Sequence, residues 1–311
     1  MAMTRCADPV HQFYNDIFAY RERERAGELI GPRVFSTGAP HLRTTPPIET
    51  MDGGARRLLV AAAAEAGLNL TMHGSPTVRS LSAVIDGYSG VEHALPVALY
   101  DDVATLIARS GTTLTHTYAT LLGWNYMVRR HGEPWEHAKM RRFVPPSSRA
   151  WAWPPWTVER LGSADLDHLA RITNGAARVV EQGGRVGMGS HGDRPGIGYH
   201  YEMWYHALGG MSNHDILRSA TIVGATAIGQ GSNFGSLEPG KLADLQILGK
   251  NPLEDIHHTT SIRYVMKNGR LYQADDLTEI WPRHEPLAPI YLWDRGSHEV
   301  VNASADSAVR R

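Results

Sequence analysis

From about residue 33 to residue 116, short apolar runs alternate with amphipathic stretches at a period of roughly 20 residues. That rhythm is the signature of consecutive strand–helix units and a parallel sheet. Six runs read as strands: 2–6, 33–36, 68–72, 90–93, 112–115 and 185–189. A helix is expected from Asp8-Pro9 to about Leu29, with Asp as N-cap and Pro in the first turn. Further helices are expected over 52–66, from Ser75-Pro76 to about Gly87, over 100–110, over 165–182, over 201–208 and, behind a Ser212 cap, over 213–228. The 165–182 helix places Leu169, Ile172, Ala176 and Val179 on one apolar face.

The rhythm breaks at 118–164, where Trp135, Trp151, Trp153 and Trp156 sit among prolines and basic residues. A long insertion of this kind in an α/β domain reads as a lid or pocket wall. The last third changes character. Ala243–Leu248 alternates as a strand, and Ile262–Met266 with Arg270–Tyr272 flanks an Asn268-Gly269 hairpin turn. Three regions follow: an α/β part over 1–235 carrying the insertion, a small β appendage over 236–295, and a disordered tail over 296–311.

Composition adds little beyond exclusions. The 311 residues carry 42% hydrophobic and 20% charged positions and a net charge of −1, so no basic surplus points to nucleic acid or an anionic membrane. Cys6 is the only cysteine, which rules out an intrachain disulfide. The N-terminus has no apolar core of a signal peptide, and cytoplasmic is the default location. The most apolar window, Leu58–Leu68, is short and carries Glu65, as a helix of a water-soluble domain would.

Histidines at strand ends carry the candidate chemistry. His73 and His93 each close a buried-type strand, one strand–helix unit apart. In a parallel sheet that spacing points both into one mouth, where two neutral imidazoles suit Zn²⁺ or a similar divalent ion. His116 repeats the placement one unit later and is a third ligand candidate, a substrate contact or a hydrogen-bonded core histidine, the last two being favoured. The run Gly184–Asp193 is a strand ending in a glycine-rich loop, with His191 or Asp193 as a third ligand or general base. His200 and Glu202 fall just before the next helix and either line the pocket or cap that helix. The glycines around them match neither a phosphate loop nor a dinucleotide fingerprint, and no Gly-x-Ser-x-Gly elbow occurs.

Downstream, Gly210–Gly229, then Gly235-Ser-Leu-Glu-Pro-Gly-Lys-Leu-Ala-Asp-Leu245, Asn251-Pro-Leu-Glu-Asp255 and Val265–Arg270 are similar to the late segments of metal-dependent amidohydrolases. The chain resembles that superfamily over about residues 5–285, nearest the imidazolonepropionase- and prolidase-like members, some of which carry a TolB-like propeller. The resemblance implies a (β/α)₈ barrel with a small β-sandwich. It also implies a metal-activated water attacking a C–N bond of an amide, cyclic amide or dipeptide, with His73 and His93 at the ligand positions of the fifth and sixth strands.

The departures are specific. No His-x-His of a first strand is present, the 39–53 loop stands where a strand and its Lys belong, and His191 occupies the place of the strand-eight Asp. The expected fold is therefore an incomplete TIM-like barrel of α/β class with a C-terminal β appendage. Its open edge calls for a homo-oligomer partner or for a missing N-terminal segment. The expected partner is a small amide-type substrate, with no nucleic acid and no membrane. The alternative reading is a truncated or catalytically impaired homologue that serves as a binding or assembly partner.

Overall fold

Four of the six expected strands form one parallel sheet, in the order β1 (Thr71–His73), β2 (Gly90–Glu92), β3 (Thr113–His116) and β4 (Arg185–Met188). The computed structural model describes residues 21–28, 33, 35, 52–74, 77–93, 95, 98–121, 125–132, 137–143, 163–191 and 196–287. The strand expected at 2–6, Asp193, the 296–311 tail and much of the 118–164 insertion lie outside the described residues. Of the run 33–36 only Arg33 and Phe35 are described, and neither is in a strand. Among the described residues the parallel strands thus form an open row with β1 and β4 at its ends.

The helices include α1 (Gly53–Glu65), α2 (Thr77–Asp86), α3 (Asp101–Ser110), α4 (Ser163–Glu181), α5 (Ile197–Leu208) and α6 (Asn213–Arg218). Their starts follow local chemistry. The Asp52 side chain accepts the Ala55 N–H at 2.8 Å at the head of α1, and Ser212 accepts the Asp215 N–H at 3.1 Å at the head of α6. Gly111, at φ 75°, ends α3 in the left-handed conformation. In α4 the expected apolar face is the buried one, through Leu169, Ile172, Ala176 and Val179.

Two departures from expectation have local causes. Helix α5 begins at Ile197, earlier than the expected 201, behind Gly196 at φ 85°. The glycine-rich approach hides this start from a propensity reading. Beyond α6 the chain continues as one π turn, Ser219–Val223, before Gly224–Ala227 returns to α geometry. The Tyr199 hydroxyl donates to the Ala220 carbonyl inside that turn at 2.9 Å, meeting an acceptor the widened pairing exposes.

Register sorts the sheet into two faces. Met72, Val91, Leu114 and Val186 are aligned across the four strands and buried, and they form the apolar face. Helices α4 and α5 meet nearby in backbone contact. A Cβ on Gly209 would lie 2.4 Å from the Thr173 carbonyl, and Asn174 Nδ2 donates to the Gly209 carbonyl at 2.9 Å. Helix α1, in contrast, buries no side chain. It is tied to α2 by Arg56 and Arg57, which hold the buried Asp86 carboxylate at 2.6 and 3.1 Å. Asp86→Ala is expected to remove about 2 kcal/mol from that attachment. The change should read as faster amide exchange over Gly53–Glu65 with the parallel sheet unaltered.

The chain forms two compact units. One takes Met1–Trp124, Gly162–Lys241 and Pro252–His257; the other takes Asn125–Leu161, Leu242–Asn251 and His258–Arg311. The second contains an antiparallel sheet in the order β5 (Leu245–Leu248), β6 (Ile262–Lys267), β7 (Arg270–Gln273) and β8 (Glu279–Trp281). The expected hairpin turn is present, with Asn268 at φ 50° and Gly269 at φ 75°. Asp244 steadies it by accepting the Asn268 N–H at 2.8 Å. Strand β8 was not anticipated from the sequence, and its buried Glu279 pairs with Arg270.

Candidate functional site

The second face of the parallel sheet is small and polar. Thr71, His73, Gly90, Glu92, Thr113, Thr115, Arg185 and Gly187 share it by register. This face ends in histidines at the C-terminal ends of β1 and β2, the end of a parallel sheet where ligands bind.

His73 and His93 meet there edge to face, with ring centroids 4.5 Å apart, and His191, beyond β4, brings a third ring to 5.2 Å from His93. His93 and His191 adopt left-handed backbone at φ 73° and 57°, a conformation that costs a non-glycine residue about 1 kcal/mol. At His93 the turn breaks the strand alternation, so its side chain leaves the order that would carry it away from His73. The turn is held by the His93 N–H donating to the Thr115 carbonyl at 2.8 Å. Gly74 makes room: a Cβ on it would stand 2.4 Å from the Glu92 carbonyl oxygen and 2.9 Å from the His93 Cβ.

The donor chemistry of the two rings fits a divalent ion. His73 Nδ1 lies 2.9 Å from the Gly74 carbonyl and must donate to it, which places the ring's lone pair on Nε2. His93 Nδ1 lies 2.8 Å from Thr117 Oγ1, the same kind of outer partner that orients metal-binding imidazoles. Two imidazoles on one ion have centroids roughly 5 Å apart, close to the spacings seen. A formed three-ligand group of His, Cys, Asp or Glu does not occur among the described residues. Asp193 lies outside them.

Glu92 joins this face in register with His73 and Thr115. Burial pushes its carboxyl up to about 7, against the pull of a hydrogen bond from the Thr115 side chain.

His116 and Glu202 go elsewhere. His116 falls one residue out of phase with His73 and so belongs to the apolar face, where it is buried. It stacks on Tyr118 at 4.6 Å and meets His206 of α5 at 5.4 Å. Glu202, also fully buried, accepts the backbone N–H groups of Tyr118 and Ala119 at 2.9 Å each. Burial pushes its carboxyl up to about 8, while those two hydrogen bonds pull it down. His206 Nδ1 donates to the Glu202 carbonyl at 2.8 Å, and burial holds the ring down to about 4. Burial, reinforced by His206, keeps His116 well below the ordinary histidine range. His200 is half-buried on α5.

The structure therefore brings His73, His93 and His191 together and sends His116 and Glu202 to the other face. The sequence reading missed Thr117. Its signal was present as the alternation Thr113, Thr115, Thr117, a polar stripe on the His73 face.

Residues 17–272 match the Amidohydrolase family by sequence. No curated protein sequence matches. Among solved structures, the chain is similar to a Xaa-Pro dipeptidase with methionine in its active site, at 19% identity and a TM-score of 0.56 over 83% of this chain and 72% of that one. It is also similar to a prolidase complexed with N-methylphosphonate-L-proline, at 20% identity and a TM-score of 0.53 over 82% and 73% of the two chains. Molinate hydrolase matches at 14% identity and a TM-score of 0.52, over 88% and 72%. At these identities the likeness shows a shared fold. No helix among the described residues is long and apolar enough to cross a membrane.

Proposed function

Because this chain belongs to the amidohydrolase family, we propose that it hydrolyses a C–N bond in a small amide, cyclic amide or dipeptide with the help of a divalent metal ion. The observation that carries this reading is the gathering of His73, His93 and His191 beyond the ends of parallel strands. The four parallel strands are read as an arc of the family's (β/α)₈ barrel. His73 and His93 would hold the ion, zinc or one like it, and His191 would complete its ligands or act as base. Asp193 is the other candidate base. The ion, when bound, supplies Lewis acidity and a water that is nucleophilic at neutral pH.

The chain's own groups supply the rest. The Gly74 carbonyl and the Thr117 hydroxyl hold the Nδ1 sides of the two rings and set which nitrogen faces the site. His200 is a candidate wall residue for a small substrate. His116 and Glu202 serve from behind the sheet.

The test is metal uptake and hydrolysis. Chelator-stripped protein, reloaded with Zn²⁺ or Co²⁺, is expected to bind one ion per chain and to cleave members of a panel of Xaa-Pro dipeptides and N-acyl amino acids. His73→Ala and His93→Ala should each weaken metal binding by more than about 100-fold. Wild-type protein that never takes up metal above background would overturn the reading. Metal uptake without turnover of any panel member would favour the binding-partner alternative.

A further inference from the structure

We propose that Glu202 is a positioning residue for His93, acting through the backbone at 117–119 and the hydroxyl of Thr117. The proposal rests on the reading of His93 as a ligand given above. Thr117 is held on both sides. The peptide before it is fixed by the Gly189 N–H donating to the His116 carbonyl at 3.1 Å. The peptide after it is fixed by Glu202, because the Tyr118 N–H shares its plane with the Thr117 carbonyl. Glu202 takes that N–H and the next one with separate oxygens, both at 2.9 Å. The rotation left to Thr117 is its side chain, which is buried and places Oγ1 2.8 Å from His93 Nδ1.

A cap for a short helix does not account for this carboxylate. The segment it would cap, Tyr118–Leu121, is a single turn. Burying an ionisable carboxyl fully costs several kcal/mol, more than about 1 kcal/mol returned by an N-cap. The rise of its pKa to about 8 expresses that cost. Glu202 is itself anchored: its own carbonyl accepts His206 Nδ1–H, and α5 ends in the backbone contact of Gly209 with Thr173. The path from a rigid helix pair to the His93 ring thus runs through four hydrogen bonds and no exposed side chain.

The consequence for the ring is a defined tautomer. With Thr117 Oγ1 fixed beside Nδ1 at 2.8 Å, the tautomer that serves a metal ligand is the one in which Nδ1–H donates to that oxygen and the lone pair lies on Nε2, and this is the one we assign to His93. Nitrogen-15 NMR of the histidine rings in metal-free protein should show His93 as that single tautomer. Thr117→Val and Glu202→Gln should each shift it toward a mixture. Competition between Co²⁺-loaded protein and a chelator should show each variant weakened by about 10- to 100-fold. The double variant should be no more than about threefold weaker than Thr117→Val alone, since both act on one path. Glu202→Asp, which keeps the carboxyl but withdraws it by one methylene, gives the same comparison if the glutamine variant does not fold. A glutamine variant with a lowered unfolding midpoint but a wild-type His93 spectrum would overturn the proposal, as would additive losses in the double variant. If wild type binds no Co²⁺ yet Glu202 still sets the His93 tautomer, the metal reading fails and the positioning role stands.

Discussion

Gly74→Ala is expected to destabilise the protein by about 3 kcal/mol and to separate His73 from His93. The new Cβ would stand 2.4 Å from the Glu92 carbonyl oxygen, a backbone atom that cannot rotate aside. Glu92 is the register partner of His73, so any retreat pulls β1 from β2 at the point where both rings are presented. Strand β1 has only Thr71–His73 with which to resist. The same Cβ also falls 2.9 Å from that of His93, so relief by turning the histidine disturbs its contact with Thr117. Urea unfolding with a parallel Co²⁺ titration measures both effects. Gly67→Ala is the control: Gly67 sits at φ 64° with open space around it, and only a backbone penalty of about 1 kcal/mol is expected there. Equal losses at the two positions would show that the close approach at Gly74 is not what holds the strands.

The buried cluster behind the sheet should make stability depend on pH in two opposite ways. His206 has a folded value of about 4 against an ordinary 6.5. The unfolded chain therefore binds a proton in that window that the folded chain refuses, and stability is lost as pH falls from 6.5 toward 4. By difference from His206→Gln, the loss is about 3 kcal/mol. Glu202 runs the other way, with a folded value of about 8 against an ordinary 4.5. The folded state keeps the extra proton, and stability is lost as pH rises through that interval. Between pH 6.5 and 8, the wild type should lose on the order of 2 kcal/mol relative to Glu202→Gln. The packing change of a substitution shifts the curve without bending it, and the His206→Gln difference also carries the release of His116, which His206 helps to hold down. A wild-type-minus-variant curve flat across its window would show that the group titrates alike in both states.

Much of this was legible in sequence. Period-two and period-3.6 patterns located the four parallel strands and the buried face of α4, because burial on one side is what creates such patterns. The Asn268-Gly269 turn was legible because its backbone needs those residues. His73 and His93 were legible as strand-end groups. What the pattern left open was phase. His116 ends β3 just as His73 ends β1, yet β3 runs one residue further before its turn, and that residue places His116 on the other face. The left-handed backbone at His93 and His191 has no glycine to announce it. The contact of Glu202 with Tyr118 and Ala119 spans more than eighty positions and uses main-chain donors, so no side-chain pattern records it. Strand β8 is too short, between acidic residues and a proline, to stand out.

The π turn at Ser219–Val223 bears on how this chain tolerates changes in length. An α-helix of the same span would need one residue fewer, so a single deletion within the turn would leave a regular, well-bonded helix. Local hydrogen bonding would then register no damage. Every residue downstream would also keep its rotational phase, because one π turn of five residues carries the chain about as far round and along the axis as four residues of α-helix. Ala225 would stay on the buried face beside Gly235, where an added Cβ would fall 2.7 Å from its own. The Ala227 carbonyl would keep the Asn69 side chain that donates to it at 2.9 Å. What the deletion removes is the acceptor that the Tyr199 hydroxyl now uses at Ala220. Loss of one residue inside the turn should therefore be absorbed far more readily than loss of one on either side of it.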